Sequence, residues 1–171
     1  MPLRVRALLC LAILGSAGVV EAISIDAPIR RVRPATVRAK TLLETALRDS
    51  PTVQALAASI AASDLIVIVE FAPIHSGARA VTRLVTVTAH GRFLRVTLGA
   101  LTPYFDQIPL LAHELQHAVE LAQAPSVRDE AGMRALYARI GIRTTGPQSF
   151  ETIDARRAEA QARRERAREP E

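Results

Sequence analysis

Leu110-Leu111-Ala112-His113-Glu114-Leu115-Gln116-His117-Ala118-Val119-Glu120-Leu121 is the stretch from which the rest of the chain is read. Its leucines, with Val119, ring nearly the whole circumference of a helix, which marks a buried helix rather than a surface one. We place that helix from about Gln107 to Gln123, ended by Pro125. Two histidines one turn apart share a face, so the rings of His113 and His117 can converge on one ion. Zinc takes neutral imidazole nitrogen readily. Glu114 sits beside such an ion rather than on it. From there it can accept a proton from metal-activated water and pass it to a leaving amine.

Working upstream, Arg92 to Leu98 and Arg79 to Thr88 alternate apolar and polar residues, with a slip near Leu84 and His90-Gly91 between them. That pattern predicts a β-hairpin with one wet face. Leu65 to Phe71 is a β-branched run that reads as a buried strand, and Pro73 to Gly77 as a loop. Ala35 to Asp49 is an amphipathic helix. Ser50-Pro51 ends it and starts a second helix that runs to about Ala62. Ile23 to Pro34 is an extended lead-in. Downstream, Ser126 to Ile140 reads as a helix with Ser126 and Asp129 forming a capping box, closed by Gly141. Thr144 to Pro147 is a turn, and a last helix begins at about Ser149. Helices, a small antiparallel sheet, then helices make an α+β plan, with the sheet packed on the metal-site helix.

The length, 171 residues, suits one domain with a modest core. Arg4 and Arg6 precede an apolar run, Ala7 to Val20, too short for a comfortable membrane span, so residues 1–22 read as a signal peptide cleaved after Ala22. An uncleaved signal anchor is the alternative. The single cysteine, Cys10, lies inside that run and not after it, so lipidation is not expected. The exported chain would hold no disulfide and rely on its core and on metal. Residues 23–155 form the expected domain, and residues 156–171 a charged helical tail. The net charge of +5 favours acidic partners without naming one. Arg156 to Arg168 is interleaved with Glu159 and Glu165, and Glu169 follows it. This pattern fits a solvated helix face and not a nucleic-acid contact.

The segment Ala112 to Glu120 resembles the zincin metallopeptidases, and the element order over residues 65–155 looks like a minimal form of that fold. The His-Glu-Leu-Gln-His-Ala-Val-Glu run is also similar to that of short exported bacterial proteins read as peptidases. The resemblance implies a sheet lying over the metal-site helix, with an edge strand that pairs with extended substrate. Arg92 to Leu98 is the expected edge.

A catalytic zinc takes three protein ligands and a water. The metzincin pattern would put Gly at 120 and His at 123, where this chain has Glu120 and Gln123, so that subclass is excluded. His75 and His90 fall in a loop and a turn. Glu120 shares the histidine face but stands about 10 Å along the axis from His113, and reads as a partner to a ligand. Asp129 and Glu130 have ordinary roles at a helix start. The gluzincin resemblance points to Glu151, on the final helix, as the third ligand. Asp154 stands three residues on, where the family pattern has an acid four residues on. Tyr137, Tyr104, His75 or an arginine could stabilise an oxyanion.

The expectation is therefore an exported zinc-dependent peptidase acting on peptide or protein substrate, with His113, His117 and Glu151 as ligands and Glu114 as base. Neither nucleic-acid binding nor stable membrane insertion is expected if the signal is cleaved. The alternative is a non-catalytic exported zinc module that keeps the helix, for instance with Glu120 completing a His/His/Glu/Glu shell.

Overall fold

The computed structural model describes residues 31–143 and 150–168; the expected signal peptide, most of the lead-in and the turn at 144–147 lie outside them. The elements run β1 (Val32–Pro34), α1 (Val37–Asp49), α2 (Pro51–Ala61), β2 (Leu65–Ala72), β3 (Ala80–Thr88), β4 (Gly91–Gly99), α3 (Tyr104–Ala122), α4 (Glu130–Ile140), β5 (Ile142–Arg143), β6 (Phe150–Glu151) and α5 (Ile153–Arg166). The class is α+β.

Helix starts follow side-chain caps that satisfy free amide groups. Thr36 accepts from the Ala39 amide and Ser50 from the Val53 amide, with Pro51 in the first turn of α2. The expected capping box at Ser126 is corrected. Asp129 itself is the N-cap of α4, accepting from the Gly132 amide at 2.7 Å, and the helix starts at Glu130. The helix of the two histidines, α3, starts three residues before its expected position, at Tyr104, and carries Pro109 within it.

Four strands form one sheet in the order β1-β2-β4-β3. The β3–β4 hairpin is antiparallel, as its alternation predicts, and the slip near Leu84 is a bulge between Leu84 and Thr86. The expectation of a purely antiparallel sheet is corrected. β2 pairs parallel with β4, and β1 parallel with β2. The hairpin leaves the far edge of β4 open. Residues 73–79 carry the chain past it, so β2 fills that edge with the unbroken apolar run typical of parallel strands. The expected edge strand is corrected for the same reason. β4 is interior, with Arg92, Leu94, Val96 and Leu98 fully buried, and the more exposed β3 is the edge.

Gly91 is required where the chain turns into β4. Its φ is +144°, and a Cβ there would sit 2.3 Å from the Asp64 carbonyl oxygen.

The helices share one core with the sheet, centred on Leu94, Val96 and Leu98 below and Leu111, Leu115 and Ala118 above. The boundary expected at 155/156 is not a structural one. α5 runs through it unbroken and buries Ala155, Ala158 and Ala162. Small residues at that spacing let α5 lie close against α3. The Glu165 carboxylate then fastens its far end, accepting from the hydroxyls of Ser50 and Thr52, each at 2.6 Å.

Candidate metal centre

α3 holds His113, Glu114 and His117 in the interior, each less than a tenth exposed. Glu151 comes from the short β6 strand, not from the final helix as the sequence reading has it. Thr152 is the cap of α5, accepting from the Ala155 amide, and stops the helix one residue short of Glu151. The β5–β6 pairing sets Glu151 opposite Ile142.

One nitrogen of each ring meets the other residues at a common point. His113 Nε2 and His117 Nε2 are 3.2 Å apart, and Glu151 Oε1 is 3.0 Å from His113 Nε2. The three groups place ligand atoms within 4.8 Å of one another. Donors at about 2.0–2.1 Å around a tetrahedral zinc stand about 3.3 Å from each other. The two His113 Nε2 sides of the triangle are therefore close to the spacing such an ion needs.

The outer ring nitrogens explain why the inner ones face inward. His117 Nδ1 lies 2.8 Å from Glu120 Oε2. A carboxylate oxygen accepts, so Nδ1 carries the proton and Nε2 presents its lone pair. Glu120 is itself fixed by the Thr152 hydroxyl, which donates to Oε1 at 2.5 Å. This network joins the metal-site helix to the cap of α5. His113 Nδ1 faces Glu159 Oε2 at 3.2 Å, a charge contact whose direction falls off the ring N–H axis, so Nδ1 is buried with no aligned hydrogen bond.

Glu159 is the residue that sequence reading missed. Its only clue is the alanine stripe at 155, 158 and 162, which forecasts close approach of α5 to α3. Asp154, considered there for a supporting role, pairs with Arg157 on the surface instead. Contact with His113, opposed by burial and reinforced by Arg163 and Arg79, holds the Glu159 carboxyl down at about 2. Burial works against charging His113, but Glu159, Glu114 and Glu151 outweigh it and raise its pKa.

Glu114 is wholly buried. Burial raises its pKa, against the pull of His117, the Thr82 hydroxyl and His113. Thr82 donates to Glu114 Oε2 at 2.7 Å from the edge strand β3. One carboxylate oxygen is thereby pinned, and the other has no protein partner among the described residues. Tyr137 buries its ring edge-on against His117 and donates its hydroxyl to the His117 carbonyl oxygen at 3.1 Å. It braces the ligand helix from α4. Tyr104 is two-thirds exposed beneath Arg166, and His75 lines a separate hollow of about 540 Å³ with Glu70, Arg83 and Arg95. Neither is at the histidines. His90 is exposed at the hairpin turn, and Glu130 pairs with Arg134.

Arg156 Nε donates to Glu151 Oε2 at 2.5 Å, which orients the carboxylate so that Oε1 faces the rings. Arg156 and Glu159 also line one end of a shallow groove of about 420 Å³ along α5.

No family model matches this sequence, and no curated protein or solved structure matches it.

Proposed function

We propose that this chain is a zinc-dependent peptidase of the zincin type, gluzincin-like in its ligand set, exported by way of residues 1–22. The observation that carries the proposal is the convergence of His113 Nε2, His117 Nε2 and Glu151 Oε1, with Glu114 held alongside by Thr82. Zinc at that point would supply Lewis acidity toward a carbonyl and make a water acidic near neutral pH. Glu120 and Glu159 keep the imidazoles facing that point. Glu114 receives the proton of the attacking water on its unpinned oxygen and returns it to the departing amine. The Thr82 bond reaches it from β3, the edge along which an extended peptide can add as a strand.

A closed His/His/Glu/Glu shell fits less well. Both oxygens of Glu120 are engaged, one by His117 Nδ1 and one by Thr152, on the side of the ring away from Nε2.

The test is Glu114→Gln. Zinc content should stay stoichiometric while hydrolysis of a mixed peptide library falls about 10²–10⁴-fold, the usual worth of a general base. Unchanged hydrolysis in this variant, or equal hydrolysis after chelation, would overturn the proposal.

A further inference from the structure

The turn from β4 into α3 carries an apolar tip that no described residue covers. Leu101 is 95% exposed, Tyr104 66% and Phe105 62%. Scattered exposed apolar residues are ordinary, but three within five positions make a patch that marks an interaction site.

The tip is not loose chain awaiting collapse. The Ala100 amide donates to the Ala72 carbonyl at 3.0 Å, and the Thr102 amide to that of Gly99 at 3.0 Å. The Gln107 side-chain amide donates to the Thr102 carbonyl at 3.1 Å, and Arg38 Nη1 to that of Ala100 at 2.8 Å. The backbone is thus fixed with Leu101 directed outward.

Two arginines flank it. Arg38 lies beside the tip, and the Arg166 guanidinium stands 4.9 Å from the centre of the Tyr104 ring. Asp106, the nearby acid, has one oxygen 2.7 Å from Arg163 and the other 3.7 Å from Arg79, so its charge is offset.

From this arrangement we infer that the tip docks the protein on an anionic lipid bilayer surface. A protruding leucine and phenylalanine enter the acyl boundary, a tyrosine sits at headgroup depth, and arginines meet lipid phosphates. The charge complementarity and the protruding shape favour a bilayer. A protein partner would call for a groove or a flat self-complementary face. The site stands about 13 Å along α3 from His113 at 1.5 Å per residue. It does not depend on the metal reading.

The chain contains no tryptophan, so Phe105→Trp in the full-length protein places one reporter on the patch. Vesicles of phosphatidylcholine with phosphatidylglycerol should shift its emission to the blue, and brominated lipid should quench it. Phosphatidylcholine alone should do neither. Adding Leu101→Asp should weaken the response about tenfold or more, and raised salt should weaken it too. An unshifted emission, an equal response to phosphatidylcholine alone, an undiminished response in Leu101→Asp, or a shift that follows protein concentration without vesicles would each overturn the inference. The last would assign the patch to a second copy of the chain.

Discussion

Two charge clusters flank the core, and they are finished differently. At the start of β4 the Arg92 guanidinium, fully enclosed, gives Nε and Nη2 to the Asp64 carboxylate and Nη1 to the carbonyls of Ala124 and Val127. All three of its nitrogens are used, and all of its acceptors belong to the protein. At His113 and His117 the outer nitrogens face carboxylates, but the inner ones point at each other across 3.2 Å with Glu151 alongside. Such electron-rich groups repel unless a proton or a metal cation joins them. A cluster complete in itself holds structure together, and Arg92 ties β2, β4 and the end of α3. A cluster that brings two ring nitrogens and a carboxylate oxygen within 4.8 Å of one another has the form of a binding site.

The comparison breaks most sharply under single substitutions. Arg92→Leu should cost about 2 kcal/mol of stability, because it leaves the carbonyls of Ala124 and Val127 unpaired while the partly exposed Asp64 carboxylate turns to water, and zinc affinity in the folded protein should stay near wild type. His113→Ala should do the reverse, lowering zinc affinity at least about a thousandfold and leaving the metal-free melting temperature little changed. Chemical denaturation and zinc titration on both variants check this. Smaller effects follow from the carboxylates behind the rings. Glu120→Gln should weaken zinc binding about a hundredfold and Glu159→Gln about tenfold, within the range for such partners. The order reflects an aligned 2.8 Å contact against an off-axis 3.2 Å one.

Acid should separate the clusters without any substitution. The pKa of His113 is raised above 6.5, so protons compete with zinc for the histidines as pH falls through the raised value. Asp64 is held below 3.8 by its hydrogen bonds to Arg92, against a smaller opposing effect of burial. A lowered folded pKa gives stability that is fully present above 3.8 and is lost as pH falls through the folded value. Between those limits zinc affinity should fall while the protein stays folded. Equilibrium dialysis against zinc, read beside circular dichroism over the same pH range, tests this. Coincident loss of metal and fold would contradict it.

What sequence reveals about such a molecule depends on how local the determinant is. His113, Glu114 and His117 are legible because helical spacing alone brings them together. The hairpin is legible too, down to the bulge at Leu84, because its signal lies within the strands. Pairing between β2 and β4 depends on where residues 73–79 carry the chain, which no periodicity encodes. Glu151 lies on a strand and not on the final helix because Thr152, whose capping role is set by the helix it starts, ends that helix first. Glu159 stayed hidden among the arginines of α5, since its meeting with His113 exists only once the alanine stripe has seated that helix.

X-ray absorption at the zinc edge of the loaded protein tests the central claim most directly. The account predicts two imidazole nitrogens and a carboxylate oxygen at about 2.0–2.1 Å, with one imidazole lost in His113→Ala. A spectrum without imidazole scattering, or one unchanged in His113→Ala, would contradict it.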